Sequence, residues 1–459
     1  MSEHEFIIPQ VTGAPRRLAI GWLLLALYSL IGAGAVVILI LIARTPVVHS
    51  LLPWTVSFKT ALVIHVDLSV LVWFLSFAGV LASLNLRERI GGIGFVALGI
   101  ASMGAVVITF SPFMGTDAPY MNNYVPVLEN GAFFIGLVLF LIGIGLMAGY
   151  GLIAACPGVN WSDGTGVLRF GLNIGLVILL VSLGSWVWSY IILSKQMTGM
   201  MYYEALFWGG GHVLQFTHTQ FVMIAWLWLA SAAGVQSSLT PRVAAFLFLL
   251  GALPVGVVPF LHLKFLPGAP GYQSGFADLM KYGGGVAALP VGLAVLWSLR
   301  SSEPGTKISF LRVALWLSLV LFGVGGVIGF LIQGINVTIP SHYHGSIVAV
   351  TVAYMGVTYH LLPQLGFQPP DERWAVRQLM LYGGGSLLHV FGLAWSGMLG
   401  VQRKTAGAAQ NLETLPKQIA MGLTGAGGLI AVIGGILFLV VCYWSIKKNK
   451  SVQMTKSTT

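Results

Sequence analysis

The sequence predicts an all-α, polytopic membrane protein, a bundle of about twelve transmembrane helices. Three observations carry that expectation. Of 459 residues, 57% are hydrophobic and only 8% charged, against roughly 25% charged in an average soluble domain. Apolar stretches of roughly 20 residues, the length a helix needs to cross hydrocarbon, recur along the chain with short polar breaks. The runs are continuous and do not alternate residue by residue, which excludes an outer-membrane barrel. A soluble enzyme and a disordered chain are excluded by the same composition.

Crossings fall at about 18–43, 60–84, 91–113, 131–155, 168–193, 205–233, 243–266, 275–299, 309–333, 341–365, 374–401 and 419–446. The opening segment, MSEHEFIIPQVTGAPR, is polar and lacks a short apolar core with a small-residue cleavage site, so the first span is expected to be retained behind a cytoplasmic tail, 1–17. With that tail inside, most of the 23 Lys and Arg lie on the side of the termini, and the positive-inside rule places both termini in the cytoplasm. A single transmembrane domain, 18–446, then precedes a basic tail, 447–459. The longest outer loop, SPFMGTDAPYMNNYVPVLEN, is too short for a domain of its own. The net charge of +10 comes from basic residues placed singly at span ends, so it implies membrane lipid as the surrounding partner and no nucleic acid. Cys156 and Cys442 lie in unlike environments, and no CxxCH motif attaches a heme covalently.

Ionisable groups inside spans are costly, so each needs a partner or a task. Of ten histidines, His4 and His49 lie in the tail and first outer loop; the rest lie in or at the edge of spans. Alternating span orientation puts His65 about five residues into span 2, His212 about seven residues into span 6 and His262 about four residues from the outer end of span 7, while His342 and His344 open span 10 from the same side. Structural histidines have no reason to agree on depth, whereas ligands of metal centres in one plane must. Residues two apart on a helix point about 200° apart, so His342 and His344 must serve different centres. Two hemes flanking span 10 fit: one closed by a second imidazole such as His65, the other open to a small molecule, with His212 and His262 available to a second metal.

The stretches WGGGHVLQF around His212, SHYHGSIVAVTVAYMGVTYHLLP around His342 and His344, and HVFGLAWSGMLGVQRK after His389 resemble the catalytic subunit of heme-copper oxidases, the cytochrome c oxidase subunit I family. NNYVPVLEN before span 4 resembles the branch of C-type oxidases and nitric oxide reductases. The resemblance covers essentially the whole chain. It implies a multi-pass respiratory oxidase of the cell inner membrane that reduces O2 to water. It implies two hemes, low-spin and high-spin, copper or non-heme iron beside the latter, and a cytochrome c or copper-containing subunit as electron donor. It further implies His65 and His344 as the low-spin ligands, His342 as the high-spin ligand, His212 and His262 as ligands of the second metal, and Arg403 and Lys404 as partners of heme propionates.

Several positions depart from that pattern. The adjacent pair of histidines expected in span 7 reads LHLKF, so Leu261 or Leu263 replaces one ligand, and His218, Glu204 or water is left to complete the shell. Phe216 and Leu214 stand where family members carry a redox tyrosine and a glutamate, and Ala294 stands where a proton-channel lysine is found. Those absences favour nitric oxide reduction as the alternative. A divergent member with an incomplete second metal site, acting as an electron-transfer cytochrome, is a further one. His360 reads as structural, His389 as a structural or heme-edge residue, and Asp278 and Lys281 as a local pair.

Overall fold

Apolar, continuous runs make helices here because hydrocarbon offers the backbone no partner outside the segment. The computed structural model describes residues 5–44, 58–88, 91–115, 118–156, 160–301, 309–403 and 410–456. In chain order the membrane-scale helices are α1 (Gly13–Arg44), α2 (Lys59–Leu84), α3 (Ile93–Phe113), α4 (Gly131–Ile153), α5 (Gly164–Ile192), α6 (Gly199–Ala232), α7 (Pro241–Lys264), α8 (Pro270–Ser301), α9 (Phe310–Phe330), α10 (Thr338–Gln364), α11 (Glu372–Met398) and α12 (Leu415–Lys456). Eleven are both long and apolar enough to cross a membrane. The remaining one, α11, has 27 residues but carries Glu372, Arg373, Arg377, Gln378 and His389, which lower its apolar content without shortening it.

Several starts follow from local chemistry, since a short polar side chain at the first turn satisfies an amide that has no helical partner. Asn130 accepts from the Phe133 amide at 2.7 Å to open α4, Asp163 from Gly166 at 2.6 Å to open α5, and Asp371 from Trp374 at 3.1 Å to open α11. Two spans are irregular. α7 tightens to a 3-10 turn over Leu253–Val257, where Pro254 removes an amide. α8 consists of Pro270–Gly283 and Ala288–Ser301 with a turn between them at Gly284 and Gly285, so span 8 is broken where the hydropathy pattern predicts continuity. α2 contains a π-helical stretch, Asp67–Val72, directly after His65.

The chain forms two compact units. The first comprises Ile8–Phe221 and Pro241–Ala287; the second comprises Met1–Ile7, Val222–Thr240 and Ala288–Thr459. In the first, α3 presents Ala97, Ala101 and Gly104 as a small-residue stripe to α4, and a side chain at Gly136 would stand 2.8 Å from the Ile108 amide. Such stripes let helices approach closely where no hydrophobic effect drives them together. In the second, Trp226 donates to the Ser318 hydroxyl at 2.8 Å, and Ser318 donates to the Ala349 carbonyl at 2.7 Å, so the buried polar atoms linking the end of α6 to α9 and α10 are paired. The apolar windows of α6, α10 and α2 are 83%, 78% and 72% buried against 28% for α12, and those three carry most of the intramembrane histidines.

Candidate functional site

In the second unit α10 carries His342 and His344 on opposite sides. His342 Nδ1 donates to the Gly325 carbonyl of α9 at 2.7 Å. His344 Nδ1 donates to its own helix at Pro340, 2.8 Å away, and its ring lies 4.9 Å from that of His389 on α11 and 5.0 Å from that of Tyr343. His389 Nδ1 donates to the Thr424 carbonyl of α12 at 2.8 Å. Close helix contact makes the first of these bonds possible: a Cβ at Gly345 would come within 2.6 Å of the Gly325 backbone. Arg403 sits in the turn following α11, and Lys404 lies outside the described residues. His360 is paired with Gln364 at 2.8 Å, near the other end of α10.

In the first unit His65 Nδ1 donates to the Ala33 carbonyl of α1 at 3.2 Å. A carbonyl can only accept, so in His65, His342, His344 and His389 the proton is on Nδ1 and the lone pair on Nε2. That is the arrangement in which an outer hydrogen bond fixes the ring and readies the other nitrogen for a metal. These imidazoles fit axial ligation of heme iron.

His212 and His262, also in the first unit, are held differently. His212 Nδ1 donates to the Trp208 carbonyl at 2.8 Å, so its Nε2 must accept, and the partner 2.9 Å away is the phenol of Tyr124. Tyr124 projects from the tip of a small ribbon, β1 (Pro119–Tyr120) paired antiparallel with β2 (Val127–Leu128), in the loop before α4. Asn122 shapes the tip by accepting from the amides of Tyr124 and Val125 at 3.0 and 2.9 Å. Glu204 of α6 pins it by accepting from the Asn123 amide at 3.1 Å and from the Asn123 side chain. Burial, reinforced by the Glu204 charge, holds the Tyr124 phenol well above its ordinary range, so it is a proton donor there.

The glycines of WGGGH explain how these rings gather. A Cβ at Gly209 would strike the Tyr272 hydroxyl, one at Gly210 the Trp186 ring, and one at Gly211 the Tyr124 ring. Each missing side chain admits an aromatic ring. His262 Nε2 pairs with the Ser185 hydroxyl at 2.8 Å and its ring stacks on Trp188 at 5.0 Å, while its Nδ1 is buried without a partner. Phe276 stands against both imidazoles, 6.3 Å from His212 and 5.5 Å from His262. Among the described residues no three His, Cys, Asp or Glu gather as a metal site. His218 lies against Phe74 at 4.8 Å. Leu263 is 74% exposed, and Leu261 packs near Gly275. Lys281 lies over the Tyr282 ring at 5.5 Å, and Asp67 is buried with neither carboxyl oxygen paired.

Sequence reasoning missed Tyr124, Ser185 and Tyr272 as neighbours of the histidines. Two signals pointed toward the first: a pair of asparagines, which shape turns, directly before a tyrosine, and three consecutive glycines directly before His212.

The fold is that of a heme-copper terminal oxidase. A chain of such an oxidase dimer, solved by cryo-electron microscopy, matches it with a TM-score of 0.71 at 16% identity, covering 95% of this chain and 84% of that one. In sequence the protein is 24% identical to the cytochrome c oxidase subunit 1 of Thermus thermophilus over 92% of this chain and 82% of that protein. It is 30% identical to an uncharacterized protein of Rickettsia prowazekii over 93% of this chain and 95% of that protein, and it belongs to one family with it. No family model matches the chain.

Proposed function

We propose that this protein is the catalytic subunit of a respiratory heme-copper oxidoreductase in the cell inner membrane, reducing O2 to water. The observation that carries the reading is the set of intramembrane imidazoles whose Nδ1 protons are tied to backbone carbonyls, at Gly325, Pro340 and Ala33, the anchor by which an outer hydrogen bond orients a metal-ligating imidazole. Carried over from the family resemblance, His65 and His344 hold a low-spin heme and His342 a high-spin heme, with copper or non-heme iron served by His212 and His262. When bound, these groups supply electron transfer and a gas-binding iron.

The chain's own part is positional. The Gly325 carbonyl fixes the His342 ring against α9, and the Pro340 carbonyl turns His344 toward α11, so one helix presents two ligands in two directions. Arg403 is the cation for acidic heme edges. Electrons come from a cytochrome c or a copper-containing subunit, as the family resemblance implies.

Reduction of NO is the second reading, favoured by Phe216 and Leu214 where a phenol and a carboxylate are expected. The test is spectroscopic first. Dithionite-reduced, purified protein is expected to show two hemes, one of which changes its spectrum with carbon monoxide; heme-free protein, or hemes indifferent to carbon monoxide, would end the catalytic reading. Comparing O2 with NO consumption under one reductant then selects the substrate.

A further inference from the structure

Where α11 begins and α12 ends, aromatic and basic side chains of one unit meet at its surface. Trp374 and Trp444, both exposed, lie with ring centroids 6.1 Å apart and planes at 72°. The Arg377 guanidinium lies over the Trp374 ring at 5.2 Å, and the Lys447 ammonium over the Tyr443 ring at 5.5 Å. In both pairs the cation reaches back one helical turn onto the ring, a contact that holds its head in place. Arg373, four residues before Arg377, shares its side of α11. The two acids beside it are engaged with backbone amides: Asp371 accepts from Trp374 at 3.1 Å and Glu372 from Phe310 at 2.7 Å. Across 371–377 and 447–450 the sequence sets five basic residues against those two acids. The frame is fixed as well. Gln378 accepts from the Tyr359 hydroxyl at 3.0 Å and donates to the Gly434 carbonyl at 3.2 Å, and the Gln368 amide donates to the Ser445 carbonyl at 3.2 Å.

We infer that this corner binds the headgroup of an anionic glycerophospholipid, with Arg373, Arg377 and Lys447 meeting its phosphate and the two indoles lying against its glycerol. The apolar window of α12 ends at Lys447, so the cations stand at the depth where headgroups lie. A guanidinium held by its face on an indole turns its N–H edge outward, and that edge matches phosphate oxygens. Deeper along the two helices Leu381 and Ile436 are exposed and apolar, a surface for acyl chains that a free phosphate would leave bare. Charge selects among lipids. A zwitterionic headgroup would bring a further cation among three, whereas an anionic one adds only negative charge. An aromatic belt alone would spread rings around the circumference without seating cations on them.

The test titrates the delipidated, detergent-solubilised full-length protein with phosphatidylglycerol, using phosphatidylcholine of the same chains and inorganic phosphate as comparisons, and counts bound lipid by native mass spectrometry. Phosphatidylglycerol is expected to bind more tightly than phosphatidylcholine. Arg377→Gln is expected to weaken it about fivefold, and Arg377→Gln combined with Lys447→Gln about 25-fold, the worth of one and two basic side chains at an anionic surface. Circular dichroism and the thermal midpoint show that the variants are folded. Trp374→Leu keeps every charge and removes the ring under Arg377, so it too should weaken phosphatidylglycerol. Arg300→Gln, which removes an exposed cation at the end of α8, should change nothing. Equal binding of the two lipids, unchanged affinity in the double variant or in Trp374→Leu, or an equal loss from Arg300→Gln overturns the site. Displacement of phosphatidylglycerol by an equal concentration of inorganic phosphate overturns the lipid as its occupant.

Discussion

His342, His344 and His389 of α10 and α11 are anchored to backbone carbonyls, whereas His212 of α6 and His262 of α7 also meet hydroxyls. On α10 and α11 the rings of His342, His344 and His389 are anchored through Nδ1 to backbone carbonyls, at Gly325, Pro340 and Thr424, and the anchor fixes each ring. On α6 and α7 the partners at Nε2 are hydroxyls, from Tyr124 and Ser185. A hydroxyl both donates and accepts and can leave the nitrogen it occupies. The carbonyl anchors build one protonation pattern into the first group, and His212 shares it through the Trp208 carbonyl. At Nε2 the second group can exchange its hydroxyl partner.

The largest test of this contrast removes the proposed heme ligands of the first group. His342→Ala and His344→Ala are each expected to halve heme content, measured by pyridine hemochrome against protein, and to do so differently. Loss of His342 should abolish the carbon monoxide response and spare the low-spin spectrum; loss of His344 should do the reverse. Retention of both hemes in either variant would mean that the two imidazoles do not serve separate irons, and the 200° argument for α10 would fall.

A smaller effect is expected in the second group. Ser185→Ala leaves a buried His262 with neither ring nitrogen paired, a change worth about 1–3 kcal/mol of stability. Thermal unfolding of the detergent-solubilised protein should show a lower midpoint with heme content unchanged. A loss of heme instead would place His262 with the first group, and an unchanged midpoint would show that another partner replaces the serine.

The fold was legible because hydrocarbon enforces it. Spans such as α4 and α9 are continuous apolar runs with a capping residue before them, Asn130 and Ser309, and α11 was visible despite its charges because they cluster at its start and leave the rest apolar. The break in α8 was not, since Gly284 and Gly285 are as apolar as their neighbours and hydropathy does not record backbone freedom. The two faces of α10 followed from helical geometry alone. Tyr124 did not, because 88 positions separate it from His212 and no periodicity links a loop tip to a helix. What the sequence did carry was the room for it: a glycine triplet in α6 whose purpose becomes apparent only when Tyr272, Trp186 and Tyr124 are seen against it.

The smallest effect expected concerns the base of the ribbon that carries Tyr124. Tyr120 donates to Glu129 at 3.1 Å, and that acceptor, with some burial and the carboxylate charge, holds the exposed phenol above its usual value. A raised phenol pKa favours the protonated form in the fold. Its contribution is therefore complete below the ordinary phenol value of about 10 and is lost as pH rises beyond that value through the folded one. Glu129→Gln removes the charge and weakens the acceptor, so the Tyr120 titration, isolated as the difference in phenolate absorbance from Tyr120→Phe, should move down toward the ordinary value. Because the pair is exposed, the shift should shrink as salt is added, and stability should barely change. A titration that Glu129→Gln leaves in place would show that the two side chains do not meet in solution, and that the ribbon is held in register by its tip at Asn122 and Glu204 rather than by its base.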